Sequence, residues 1–273
     1  MKQTMINLLP SPELITEIET AEIDFMSDRM NAIQERPGNP EGIEIARFGS
    51  AACYYSRTMA WPAFNTVKGI TSESLPYLEQ IIEFYRARNR KAQFEIIPAR
   101  SDQKLLMQLS KFGFYQSGFH SSLVAAPSAL PEQPSGVLNI REVQEDKFDL
   151  YATIHCRATG LPDSGIPHVA QNNKALHNRP GWTFYMAYVN GAPAAAGVCY
   201  IKHGRASLTF AATLPEYRKQ GLQKALLQKR MEHAALSGCR LVVGQCAFLS
   251  QSHRNMERAG MKLGYVRATW SEQ

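Results

Sequence analysis

The chain has 273 residues, 44% hydrophobic and 20% charged, which is enough to bury a core and excludes a disordered chain. The net charge of +6 suits an anionic ligand, and Lys and Arg are spread along the chain except in RARNRK (86–91) and YRKQGLQKALLQKR (217–230), so a nucleic-acid partner is not expected. No apolar run reaches the roughly 18 residues of a membrane span, and MKQTMINLLPSPELITEIET meets acidic residues too early for a secretory signal, so no membrane partner and a cytoplasmic location are expected.

In the first half, IEIARFG (43–49) and AACYYSRTM (51–59) read as strands. ESLPYLEQIIEFYRARNR (73–90) reads as a helix, QFEIIP (93–98) as a strand, SDQKLLMQLSKFG (101–113) as a helix and FYQSGFHSSLV (114–124) as a strand. AAPSALPEQPSG (125–136), with three prolines and no apolar periodicity, reads as a linker. Beyond it, VLNIREV (137–143) is a strand, EDKFDLYATIHCRA (145–158) a helix, and a Gly/Pro-rich loop leads to a second helical stretch near 168–178. GWTFYMAYV (181–189) and AAAGVCYI (194–201) flank Asn190-Gly191, a hairpin signal, and ASLTFAAT (206–213) is a third antiparallel strand. A long helix over 216–236, a strand CRLVVGQC (239–246), a helix SQSHRNMERA (250–259) and a strand KLGYVRATW (262–270) complete the order.

The two halves end alike. LSKFGFY and MERAGMKLGY are each a helix end, a glycine, an apolar residue and a strand. This suggests two copies of one fold, against the alternative of a chance likeness between two α/β halves. The five cysteines, Cys53, Cys156, Cys199, Cys239 and Cys246, are odd in number and form no CxxC pair. They read as buried free thiols rather than a disulfide or zinc framework. The histidines show no HExxH spacing, and no metal is expected.

Gly221 is the residue that asks for an explanation. It sits in TLPEYRKQGLQKALL (213–227) near the start of the long helix, where glycine costs about 1 kcal/mol against alanine. One reading is an anion site: helix N-termini expose unpaired N–H groups, glycine lets a phosphate reach them, and Arg218, Lys219 and Lys224 add charge. The other is a close helix–sheet contact that needs a small residue.

Strand, LPEYRKQGLQKALL, long helix, strand, helix, Gly, strand resembles the GNAT superfamily of acyl-CoA-dependent N-acetyltransferases, whose signature is Arg/Gln-x-x-Gly-x-Gly/Ala. Here the signature reads Arg218-Lys219-Gln220-Gly221-Leu222-Gln223, with Gln223 departing from the small residue. The resemblance covers about 137–270. It implies an α/β (α+β) architecture of two GNAT-like domains, each a mixed, mostly antiparallel sheet flanked by helices: residues 1–126 as a degenerate copy, 127–136 as linker and 137–273 as the acetyl-CoA-binding domain. It further implies that Ala211, Ala212 and Thr213 hold the pantetheine arm like an added strand, and that Lys219, Gln220, Gly221, Leu222, Gln223 and Lys224, with Arg218, hold the pyrophosphate. Ser252 and Asn255 stand in the helix that touches the cofactor in some members, although capping and solvent exposure also explain them. Where the family often has Asn and Tyr, this chain has Leu249 and Met256.

The implied reaction is direct attack of a primary amine, on a small molecule or a peptide, on the thioester of acetyl-CoA as cosubstrate. Backbone N–H near Ala212 would hold the oxyanion, and holding two substrates together supplies much of the rate. The proton-transfer candidates are Tyr217, Tyr265 and His253, with a water chain as the alternative. His155, Asp163 and His168 are the acceptor-site candidates, against the alternative of an ordinary surface loop. The first half lacks the signature and carries acids at the matching helix start, so it is expected to have lost cofactor binding. A non-catalytic acyl-CoA sensor or interaction module is the alternative function.

Overall fold

The computed structural model describes residues 7–128 and 138–273, and the expected linker lies outside them from residue 129 to residue 136. The chain divides into two compact units. Leu9–Ser122, Cys246–Phe248 and Leu263–Gln273 make the N-terminal unit; Leu123–Gln245 and Leu249–Lys262 make most of the C-terminal unit.

Chain order in the N-terminal unit begins with α1 (Pro12–Gln34), to which the sequence reading assigned no element. Its start was legible: Ser11 accepts the N–H of Leu14 at 3.2 Å, and Pro12 takes the first helical position, where its missing N–H is not needed. Next come β1 (Ile43–Phe48), β2 (Ala51–Ser56) and the three-residue β3 (Thr66–Lys68). The helix expected over 73–90 is a 3-10 stretch, Ser72–Tyr77, followed by α2 (Leu78–Arg86); Pro76 sits inside the 3-10 part. After it run β4 (Gln93–Ile96), α3 (Gln103–Lys111), whose first turn is capped by Asp102 accepting from Leu105 N–H at 2.9 Å, and β5 (Phe114–Ala125).

The C-terminal unit contributes β6 (Leu138–Glu142), α4 (Phe148–Thr159), α5 (Ile166–His177), β7 (Trp182–Val189), β8 (Ala192–Lys202), β9 (Arg205–Thr213), α6 (Leu222–Leu236), β10 (Leu241–Ala247) and α7 (Gln251–Arg258). Asn190 and Gly191 both take positive φ (48° and 82°), the conformation a two-residue hairpin of this kind requires. The last strand, β11 (Lys262–Glu272), follows α7 in sequence. From Leu263 on, however, it belongs to the N-terminal unit, where it pairs antiparallel with β4, Ala268 facing Ile96 and Trp270 facing Phe94.

Each unit has a mixed, mostly antiparallel sheet flanked by helices. In the N-terminal unit the order is β1-β2-β3-β4-β11-β5, with β3 and β4 parallel. In the C-terminal unit it is β10-β9-β8-β7-β6, with β9 and β10 parallel. The N-terminal core packs Tyr85, Phe94 and Phe114 with Ile81 and Leu105, and the Tyr85 hydroxyl lies 2.9 Å from the Tyr54 carbonyl. All five cysteines are free and buried. Among the described residues, no helix is long and apolar enough to cross a membrane.

The basic run 86–91 is occupied by the protein itself. Arg88 grips Glu44 with two nitrogens (2.6 and 3.0 Å) and lies over the Phe84 ring, and Arg86 pairs with Glu272. Arg90 donates to the Ser56 and Arg57 carbonyls, and Lys91 to Gln273.

Candidate active site

A fork between two parallel strands is the central feature of the C-terminal unit. β9 and β10 pair in register from Arg205↔Leu241 to Leu208↔Gly244, and the pairing then ends. β9 runs on to Thr213, held on its other side by β8, so its edge toward β10 is left without a strand partner over 209–213. That edge offers backbone N–H and C=O groups to an extended ligand, as in strand addition. A β-bulge shapes it: two residues of β9, Phe210 and Ala211, stand opposite the single Gly197 of β8, and Phe210 takes φ +48°. A bulge bends its strand and re-aims the side chains beside it.

Beyond the fork the chain makes a 3-10 turn at Pro215–Tyr217 and enters α6 at Leu222. The expected helix over 216–236 therefore starts later than the sequence suggests. The cause is local: Lys219 and Gly221 both have positive φ (65° and 80°), which an α-helix cannot contain. Gly221 is the N-cap, not an interior position, and no side chain caps it. Nothing stands within 4 Å of the Cβ it lacks, so the close-contact reading of this glycine is not what the structure supports; backbone conformation and open space are. A left-handed residue followed by a right-handed one turns successive N–H groups toward one point, an anion nest. The first helical hydrogen bond is Ala225 N–H to the Gly221 carbonyl, so the N–H groups of 222–224 precede the helical ladder. Arg218, Lys219, Gln220, Gly221 and Lys224 are exposed there, Gln223 is half-buried and Leu222 is buried.

Two signature side chains are turned back onto the fold. Arg218 reaches the Ala158 carbonyl near the end of α4 (3.2 Å) and the Thr213 carbonyl (3.4 Å). Gln223 donates to the Thr213 hydroxyl at 2.7 Å, tying the end of β9 to the first turn of α6. The residue that departs from the family signature thus braces the mouth of the fork. Ala211 is exposed and Ala212 buried, as alternation along a strand edge demands.

The remaining sequence candidates are scattered. His253 is 3% exposed; its Nδ1 accepts the Leu249 N–H at 3.0 Å, so that nitrogen carries no proton and holds the turn before α7. Tyr265 lies in the N-terminal unit, buried, with its hydroxyl pKa pushed well up by burial and by the carboxylate of Glu22. Tyr217 is half-buried in the 3-10 turn after β9. Asn255 accepts from Gln251 at 2.9 Å, and Ser252 is exposed. Met256 packs on Gly244, its sulfur 3.0 Å from where a Cβ would be. Asp163, an acceptor-site candidate, is held by Arg157 at 3.0 and 3.2 Å, which draws its pKa down. His155 stacks on Tyr151 and meets the Phe210 ring edge-on at 6.2 Å, whereas His168 is exposed on α5.

The model of the acetyltransferase (GNAT) family matches residues 148–261, which span the fork, the bulge and the open N-terminus of α6. Residues 148–261 form a GNAT domain. Solved structures extend the likeness of fold to both units. A GCN5-related N-acetyltransferase from Kribbella flavida superposes with a TM-score of 0.68 at 16% identity, covering 94% of each chain. A tandem GNAT protein from the clavulanic acid biosynthesis pathway, solved without acetyl-CoA, gives 0.63 at 14% identity and 96% of each chain. A GCN5-related N-acetyltransferase from Sphaerobacter thermophilus gives 0.61 at 14% identity, covering 98% of this chain and 96% of that one. The sequence matches no curated protein. The fold is that of a tandem GNAT protein, and the GNAT domain carries the fork.

One residue of this domain escaped the sequence reading. Arg230 of α6 is 1% exposed and sits behind the bulge, its guanidinium over Gly197. Its signals were an arginine in line with Leu226 and Leu227 on an apolar helix face, and a glycine inside the strand AAAGVCYI.

Proposed function

We propose that the GNAT domain binds acetyl-CoA and transfers its acetyl group to a primary amine of a small molecule or peptide. In this reading the diphosphate lies on the N–H groups of 219–224, and the pantetheine arm adds to β9 along 209–213. The thioester carbonyl then points at backbone N–H near Ala212. The observation that carries the reading is the fork beside an uncapped helix N-terminus: one extended, anionic ligand can lie along β9 beyond its pairing with β10 and reach the N–H groups that precede the helical ladder of α6. A neutral amine attacks the thioester carbon to form the C–N bond, the developing oxyanion is stabilised by a strand N–H, the C–S bond breaks, and the proton shed by the nitrogen passes, directly or through water, to the departing thiolate. Fixing both reactants in the fork supplies rate without a dedicated acid.

Calorimetry with acetyl-CoA on wild type and Gly221→Glu tests this. Wild type is expected to bind; the variant, with a carboxylate and a side chain forced to φ +80°, is expected to lose binding. Equal binding by both, or none by wild type, overturns the assignment.

Leu249 and Met256, which stand where the family often has Asn and Tyr, and the engagement of His253 by the Leu249 N–H favour a second reading, a non-catalytic acyl-CoA sensor. It predicts binding without turnover over a broad panel of amines. Multiple-turnover release of CoA dependent on one of those amines would eliminate it.

A further inference from the structure

Among the described residues Arg230 is the largest fully buried side chain, and it has no carboxylate partner. A buried cation without a counter-ion is costly, so its presence calls for a reason. Its Nε donates to the Leu226 carbonyl of its own helix at 2.9 Å. Its Nη1 lies 3.2 Å from the Val198 carbonyl and 3.3 Å from the Thr209 carbonyl. Val198 and Thr209 are the register pair of β8 and β9 immediately before the bulge. Gly197, the residue across from the bulge, makes room: a Cβ there would stand 3.0 Å from the Arg230 Cζ. One guanidinium therefore grips both strands at the bulge and is rigidly carried by α6, whose other end is the anion nest. Burial lowers its pKa to about 10, which leaves it charged at neutral pH.

We propose that Arg230 is a positioning residue for acyl-CoA: by clamping the Val198 and Thr209 carbonyls it fixes the free edge of β9 against the N-terminus of α6, so that the arm and the diphosphate of one cofactor fit both. The inference rests on the acetyl-CoA reading above. Without the clamp the nest still offers its N–H groups, but the strand edge is no longer held at the matching distance. Affinity for the whole cofactor then falls while affinity for its nucleotide portion does not.

The test uses the full chain and two ligands, acetyl-CoA and 3′-phosphoadenosine 5′-diphosphate, which has the diphosphate but no pantetheine. Arg230→Met is expected to bind the nucleotide within about twofold of wild type and acetyl-CoA at least about tenfold more weakly. Its Tm is expected at or above that of wild type, because an apolar chain of similar length replaces an unpaired buried charge. Arg230→Lys, a point charge that cannot span two carbonyls, is expected to fall between them. Gly197→Ala keeps the guanidinium but displaces it, and is expected to weaken acetyl-CoA alone by a smaller factor; it decides the matter should the methionine variant not fold. Equal loss for both ligands, or a lower Tm with both affinities unchanged, overturns the clamp. Wild type that binds neither ligand overturns the cofactor reading itself, a separate result.

Discussion

Each unit contains a pair of parallel strands followed by a helix, and the two pairs are finished in opposite ways. In the C-terminal unit β9 outlasts its pairing with β10 and offers a free edge. In the N-terminal unit β3 and β4 pair only at Thr66↔Gln93 and Val67↔Phe94, and the next residues, Lys68 and Glu95, join by an ion pair. Arg267 from β11 binds Glu95 and Glu22, both at 2.9 Å, and Ser122 hydrogen-bonds Glu22. What remains is a cavity of about 10 Å³, room for about one water. The segment before α2 also closes its own backbone: the Thr71 N–H donates to the Ser74 hydroxyl and the Ser74 N–H to the Thr71 carbonyl. Acids, Glu73 and Glu79, flank the start of α2, whereas cations, Arg218 and Lys219, precede the start of α6. The gap between the N-terminal pair of parallel strands is thus occupied by the chain's own ion network, whereas β9 keeps an edge beyond its pairing with β10.

Breaking the plug is the strongest test. Arg267→Met leaves Glu22 and Glu95 buried without their shared cation. It is expected to destabilise the N-terminal unit by about 3–5 kcal/mol, the usual cost of removing one partner of a buried pair. Peptide-resolved hydrogen exchange should show the loss in 12–34 and 93–96. Unchanged protection there would mean that the ion network does not hold the unit.

Acid should act on the same unit in two stages. Burial, aided by Arg267, lowers the His120 pKa from 6.5 to about 4. Burial alone would raise the Glu95 carboxyl, but Arg267 and then Lys68 overcome it and bring the pKa down from 4.5 to about 2. Both folded-state values lie below the unfolded ones, so the unfolded chain binds more protons and stability is lost as pH falls. The loss attributable to His120 falls between pH 6.5 and about 4, and that attributable to Glu95 between pH 4.5 and about 2. Urea midpoints against pH should fall across the first window in wild type and not in His120→Gln.

Gly221→Ala is expected to cost about 1–2 kcal/mol, because a side chain at φ +80° is strained although space is open around it. Under the proposed function it weakens acetyl-CoA less than Gly221→Glu, since it adds no charge. Denaturation and calorimetry on the two variants separate strain from electrostatic repulsion.

These residues also mark where sequence suffices and where it stops. The strand ASLTFAAT beside AAAGVCYI and the Asn190-Gly191 turn act through neighbours in the chain, and both formed as the sequence indicates. Gly221 was legible as an anomaly, but the reason lay in its φ and not in a helix interior. Residues whose role depends on distant strands were not legible. The seat of β11 beside β4 rests on pairing with a segment more than a hundred residues earlier, and nothing local announces it. Glu19 and Glu22 of α1 find their cationic partners, Arg100 and Arg267, far along the chain, so nothing beside them in sequence shows that they are buried. Arg230 shows in the sequence only as a cation in line with Leu226 and Leu227, and its partners appear once Val198 and Thr209 are brought to it.

The smallest expected effect concerns the departure from the family signature. Gln223→Ala restores a small residue and removes the 2.7 Å bond to Thr213. A half-buried neutral hydrogen bond contributes about 0.5–1.5 kcal/mol, so a Tm decrease of a few degrees is expected. The consequence for acetyl-CoA decides what the bond is for. If it only spans the mouth of the fork as a cover, its removal frees the Thr213 hydroxyl and leaves affinity equal or tighter. If it holds the end of β9 at the spacing the cofactor needs, affinity falls in the same direction as in Arg230→Met. Two ties, one at the bulge and one at the mouth, would then back each other up on the same strand edge, and the double variant Gln223→Ala, Arg230→Met would lose more than the sum of the single losses.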